Sequence, residues 1–279
     1  MVGQVVASTT PSRWAWQSRP PYGLELIAAT RGGNGEQVRS LLEMGVPVET
    51  TDLDDKTALM WASREGWIDI VKMLIHAGAD VNFANTCGST ALIEASLWGQ
   101  KASVQLLLAC GADPNQRERV LGATALMYAS FMGHADIARI LLAHGAHATS
   151  ADKEGRTPLL EATYAGHSVI VTLLLDHGAQ IEARNKYGTT ALLAASVTGH
   201  AGIAGLLIER GANVNSRNKY GKTPLLEASL AGCEETVLLL MKHGADTSAV
   251  DGNGRSAPIL AETAGHRKLA ETLWKLGVQ

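Results

Sequence analysis

Eight glycines punctuate the 279-residue chain at an almost constant interval. They are Gly45, Gly78, Gly111, Gly145, Gly178, Gly211, Gly244 and Gly277, separated by 33, 33, 34, 33, 33, 33 and 33 residues. A period of this size marks a supersecondary unit too small to bury its own apolar face, so copies must stack on one another. A second series lies twelve residues earlier: Gly33, Gly66, Gly99, Gly133, Gly166, Gly199, Gly232 and Gly265. A third is Thr57, Thr90, Thr124, Thr157, Thr190 and Thr223, with Ser256 in the last copy.

Each series has a physical role. A threonine hydroxyl at a helix start accepts a free backbone N–H. Pro158 and Pro224 follow two of these threonines, at the first helical position, where a missing N–H costs nothing. The spacing predicts a short helix of about eight residues from each threonine to the middle glycine, which would end it in a left-handed conformation. Ala62, Ala95, Ala129, Ala162, Ala195, Ala228 and Ala261 recur in its last turn, where a small side chain lets a neighbouring helix come close. A second helix follows with apolar residues at helical spacing, such as Ile137, Ile140, Leu141 and Leu142. A polar turn then leads to the next threonine. The stretch NQRERVLGAT holds one extra residue, so a longer or reshaped turn is expected there.

Composition agrees with packed helices. Hydrophobic residues make up 46% and aromatics only 5%, so the core must be built of Leu, Ala, Val and Ile. The net charge of −3 argues against nucleic acid as the main partner. No apolar run reaches the ~20 residues of a membrane-spanning helix, and the first residues do not read as a secretory signal. Cys87, Cys110 and Cys233 are scattered, which fits neither a disulfide framework nor a zinc site and points to cytoplasm or nucleus.

The segment GRTPLLEATYAGHSVIVTLLLDHGAQIEARNKYG, Gly155 to Gly188, resembles the ankyrin repeat family. The resemblance covers residues 23–279 in eight copies. It implies an all-α solenoid of hairpin–helix–helix units, with hairpins and first helices lining a concave groove. The first and last copies are atypical and are expected to cap the array. Residues 1–22, carrying Pro11, Pro20, Pro21, Trp14, Trp16 and Tyr22, read as an arm outside the array. The arm is expected to cover either the flank of repeat one or the groove.

Chemistry is hard to find. Gly221-Lys222-Thr223 imitates a phosphate loop, but the glycine required five residues earlier is Ser216. His134, His167, His200 and His266 share one repeat position. Repeats stack ~8–10 Å apart, so such residues are poorly placed to share a metal, and a hydrogen-bonding cap between the two helices of a repeat is expected. His144, His177 and His243 are expected in solvent or on the last carbonyls of the second helix. Glu94, Glu161 and Glu227 also share a position, too far apart for paired-carboxylate hydrolysis. They read equally as a solvated face or an acidic stripe in the groove. No catalytic residue, metal site or cofactor is expected.

In the family, the two residues before the middle glycine face the groove and are not needed for stacking. Repeats two to five here place Trp61, Arg64, Trp98, Tyr128, Phe131, Met132 and Tyr164 at or near that position. Such a band would mark an interaction surface, unless neighbouring helices bury it. Arg184, Lys186, Tyr187, Arg217, Lys219, Tyr220 and Lys222 form a basic, tyrosine-bearing hairpin edge beside Glu161 and Glu227, able to hold an acidic peptide or a phosphate. The expectation is a monomeric, non-enzymatic module that binds a protein or peptide. The rival readings are a structural spacer or engineered scaffold, and an enzyme-associated regulatory subunit.

Overall fold

The computed structural model describes residues 22–278. The expected arm therefore lies outside the described residues, except for Tyr22, which starts the first helix and packs half-buried against the core. The described residues form sixteen helices in eight pairs. The pairs are α1 (Tyr22–Arg31) and α2 (Gly35–Glu43), α3 (Ala58–Glu65) and α4 (Ile68–His76), α5 (Ala91–Leu97) and α6 (Lys101–Ala109), and α7 (Ala125–Met132) and α8 (Ala135–Ala143). They continue with α9 (Pro158–Tyr164) and α10 (Ser168–Asp176), α11 (Ala191–Thr198) and α12 (Ala201–Glu209), α13 (Pro224–Ala231) and α14 (Glu234–Lys242), and α15 (Ala257–Thr263) and α16 (Arg267–Lys275). Among these residues extended pairing is limited to isolated bridges, such as Arg117 with Thr124.

The caps follow the threonine series. Thr57, Thr90, Thr124, Thr157, Thr190 and Thr223 each accept the amide three residues on. Ser256 makes no such bond. Each first helix packs on the first helix of the next pair, from α1 on α3 to α13 on α15. The contact runs over the alanine series, and Ala62, Ala95, Ala129, Ala162, Ala195, Ala228 and Ala261 are fully buried.

The residue after the middle glycine acts differently from expectation. The Nε2 of His167 lies 3.1 Å from the carbonyl oxygen of Phe131, that of His134 3.3 Å from Leu97, and that of His200 3.4 Å from Tyr164. Gln100 at the same position donates to the Arg64 carbonyl. The bond thus ties one repeat to the preceding one, rather than joining the two helices of a repeat. The reason is geometric: the ring covers the middle glycine of its neighbour. A Cβ built on Gly133 would stand 2.5 Å from His167 Cε1. His144 and His177 accord with expectation, their Nδ1 atoms lying 2.9 and 2.8 Å from the carbonyls of Ile140 and Leu173.

The turns are held by one side chain each. Asp152 Oδ1 accepts the amides of Glu154 and Arg156, two and four residues on. Asn185, Asn218 and Asp251 repeat the pattern. In the turn with the extra residue the holder is Glu118, which accepts the amides of Val120, Leu121 and Ala123. One more methylene in the side chain spans one more residue in the turn. Successive hairpins are linked by backbone bonds, as from the Lys219 amide to the Tyr187 carbonyl at 3.0 Å.

Candidate partner-binding surface

The aromatic band is divided by depth. Trp61, expected at the surface, is buried. Its indole N–H donates to Asp52 Oδ2 at 2.7 Å, and the cations of Arg31, Lys56 and Arg64 lie within 4.3, 5.1 and 4.9 Å of its ring. The hairpin aspartate and this ring of cations remove it from the groove surface. Arg64 also covers Trp98, 4.2 Å from the ring centre, so one guanidinium stacks against tryptophans of two repeats. Trp98, Phe131 and Met132 remain about half exposed, at 48, 50 and 45%. Tyr128 and Tyr164 are half-buried, and burial raises both hydroxyls above the ordinary tyrosine range.

A cavity of about 160 Å³ opens beside Phe131. Leu121, Ala123, Met127, Tyr128 and Phe131 give it an apolar wall, and Asp152, Arg156 and Glu161 a charged one. Arg156 serves both carboxylates: it is 2.8 Å from Asp152 and 3.2 Å from Glu161. Glu161 has the weaker share. Burial pushes its carboxyl above the usual range, and the attraction of Arg156 does not offset that.

The glutamate row is neither a solvated face nor a free acidic stripe. Glu94 is buried and sits 2.8 Å from Lys56. Glu227 is 3.3 Å from Lys222 and accepts from Asn218 Nδ2 at 2.8 Å. Each glutamate is neutralised by a cation from a hairpin, because burial of a carboxylate needs a partner.

Part of the basic hairpin edge is likewise committed to the fold. A guanidinium nitrogen of Arg184 donates to the carbonyls of Gly188 and Arg217, and one of Arg217 to those of Gly221 and Val250. Lys186 pairs with Glu154. Tyr187, Lys219 and Tyr220 remain exposed.

A family model for ankyrin repeats, in units of three copies, matches residues 26–118, 110–185, 146–218 and 179–251. The chain belongs to the ankyrin repeat family. Among solved structures it is similar to the crystal structure of the human ASB11 ankyrin repeat domain, with 28% identity and a TM-score of 0.72. That match covers 78% of this chain and 98% of the other. No match was found among curated proteins.

Ankyrin repeats are generally protein–protein interaction modules. Among the described residues no helix is long and apolar enough to cross a membrane. The cavity brings together Tyr128, Phe131 and Glu161 from the residues singled out in the sequence. It leaves Trp61 behind in the core and Lys186, Tyr187, Lys219 and Tyr220 on the hairpins. Leu121 and Met127 were missed. The signal for Leu121 was present in the extra residue of its turn, and Leu121 lines the cavity from that turn. Nothing in the sequence singles out Met127, which sits in an ordinary buried position of its helix.

Proposed function

We propose that this chain is a non-enzymatic module that binds a segment of a partner protein along its concave groove. One observation carries the reading: half-exposed Phe131 lines a cavity with an apolar wall, and Trp98 and Met132, also half exposed, stand just before the middle glycines of the third and fourth repeats. Water gains little from such a surface, and aromatic side chains beside a pocket are the usual anchors of binding energy. Trp98 caps the end of α5, Phe131 and Met132 end α7, and Tyr164 ends α9, so these residues fall at the ends of three successive first helices. The three free cysteines fit a reducing compartment, cytoplasm or nucleus. The arm of residues 1–22 and a monomeric state belong to the same proposal.

Selection of a displayed random-peptide library on the purified chain tests it. Enriched peptides should bind the Trp98→Ala/Phe131→Ala variant at least about tenfold more weakly, since loss of an anchor costs ~2 kcal/mol or more. Equal binding to both forms, with both folded by circular dichroism, would return the chain to the class of structural spacers.

A further inference from the structure

The chain carries a net charge of −3, yet the hairpins of repeats four to seven are basic. Arg117, Arg119, Lys153, Arg184, Arg217 and Lys219 are all exposed. Among the described residues no ion pair holds any of them; the cations of these hairpins that do pair are Arg156, Lys186 and Lys222. The carboxylates close by are already engaged. Glu118 takes three turn amides, Asp152 takes two amides and the Arg156 guanidinium, and Glu154 pairs with Lys186.

Two features give this charge a shape. The first is a cleft of about 420 Å³ between the fourth and fifth hairpins, lined by Arg117, Arg119 and Lys153 together with the engaged Glu118 and Asp152. The cationic groups of Arg117 and Lys153 rest on backbone carbonyls of Ala151 and Arg119. Carbonyl oxygens orient these charges without neutralising them. The second is periodicity. Arg119, Lys153, Lys186 and Lys219 occupy one register position of four successive hairpins, and each amide bonds the hairpin before it. The row therefore advances one charge per repeat, ~8–10 Å at helix-packing distance. A segment in the polyproline II conformation rises ~3.1 Å per residue with three residues per turn, so side chains three apart share one face and span one repeat.

We infer that the partner segment is acidic and lies in the polyproline II conformation, with carboxylates three residues apart along the hairpin row and an apolar side chain in the cavity beside Phe131. This deepens the groove-binding reading and rests on it. The cavity shares Asp152 with the cleft, so anchor and first carboxylate fall beside each other. The other cations then meet the acids that follow. Among the described residues the Lys219 ammonium makes no ion pair or hydrogen bond that it would have to give up, and Lys186 would exchange Glu154 for the partner.

Two fluorescent peptides of one composition test this. Both carry one Phe and four Glu among Gly and Ser. In one the acids stand at every third position, and in the other at every second. Anisotropy should show the first binding about tenfold more tightly, with affinity falling as salt rises from ~50 to ~300 mM. Lys219→Glu alone, and Lys153→Glu/Lys219→Glu together, should each weaken it while leaving the melting temperature unchanged. Equal affinity for the two peptides, binding of neither, or indifference to both variants would overturn the inference. So would tighter binding of single-stranded DNA or of phosphatidylserine vesicles. The two readings fail separately. If library-selected peptides lose affinity for Trp98→Ala/Phe131→Ala but the acidic pair shows no register preference, the groove reading stands and this one falls.

Discussion

At the scale of the residue, the clearest adjustment is Glu118. Its carboxylate holds three amides of a turn that is one residue longer than its neighbours. Glu118→Asp should withdraw the carboxylate by one methylene and leave the buried Ala123 amide and two partly buried ones without their acceptor, a loss of ~1–3 kcal/mol, seen as a lower urea midpoint. Deleting Val120 in the same chain should restore most of the loss, because the shortened turn then matches the Asp152 pattern. Glu161 makes a second case. Its folded-state carboxyl is raised by burial, so its contribution to stability is full below the unfolded value and is lost as pH rises through the folded one. Glu161→Gln should therefore match the natural chain near pH 4 and gain on it by pH 7, a difference readable from the two melting temperatures. Asp251 works in the other direction. Burial pushes it up, but the amides of Arg255 and Asn253 and the Arg255 guanidinium outweigh that, leaving the carboxyl below the ordinary range.

At the scale of the element, the coupling between repeats passes through single contacts. His167 covers Gly133 and meets the Phe131 carbonyl at 3.1 Å. His167→Ala should cost ~0.5–1.5 kcal/mol, the usual net worth of such a bond. Gly133→Ala should cost more. It places a Cβ against the imidazole and strains a backbone at φ 81°, worth ~1–3 kcal/mol on its own. Chemical denaturation of both variants checks the order. Much of this was readable in advance. The threonine caps, the alanine contact and the glycine ends follow from local rules, which a sequence displays directly. The histidine's partner did not follow, because it lies in another copy 36 residues away. Trp61 was misplaced because its depth is set by side chains around it rather than by its own position: Asp52 and Lys56 of the preceding hairpin, Arg64 of its own helix and Arg31 of α1. The glutamates escaped because a carboxylate at a groove position reads identically whether free or paired.

At the scale of the molecule, the described helices account for about half of the chain, and each repeat touches mainly its neighbours. Stability should then be a sum of repeat and interface increments. Removing the last repeat, residues 257–279, should lower the denaturation midpoint by one increment and leave the remaining array folded, with circular dichroism reduced in proportion. Collapse of the whole array on this deletion would contradict a linear stack. The same architecture segregates charge, since hairpins can be basic while the whole remains slightly acidic. Exposed turns are free to carry any charge, and those of repeats four to seven carry one sign in register.

The pairing of a longer turn with a longer side chain also bears on history. An insertion behind an aspartate would leave an amide without its acceptor. A glutamate in a regular turn would be one methylene too long. Neither change is neutral alone, so the two are expected to have been acquired together or through a weakened ancestor. A glutamate where sister repeats keep aspartate or asparagine thus becomes a fossil of the insertion, recognisable in any array of this kind before its structure is determined.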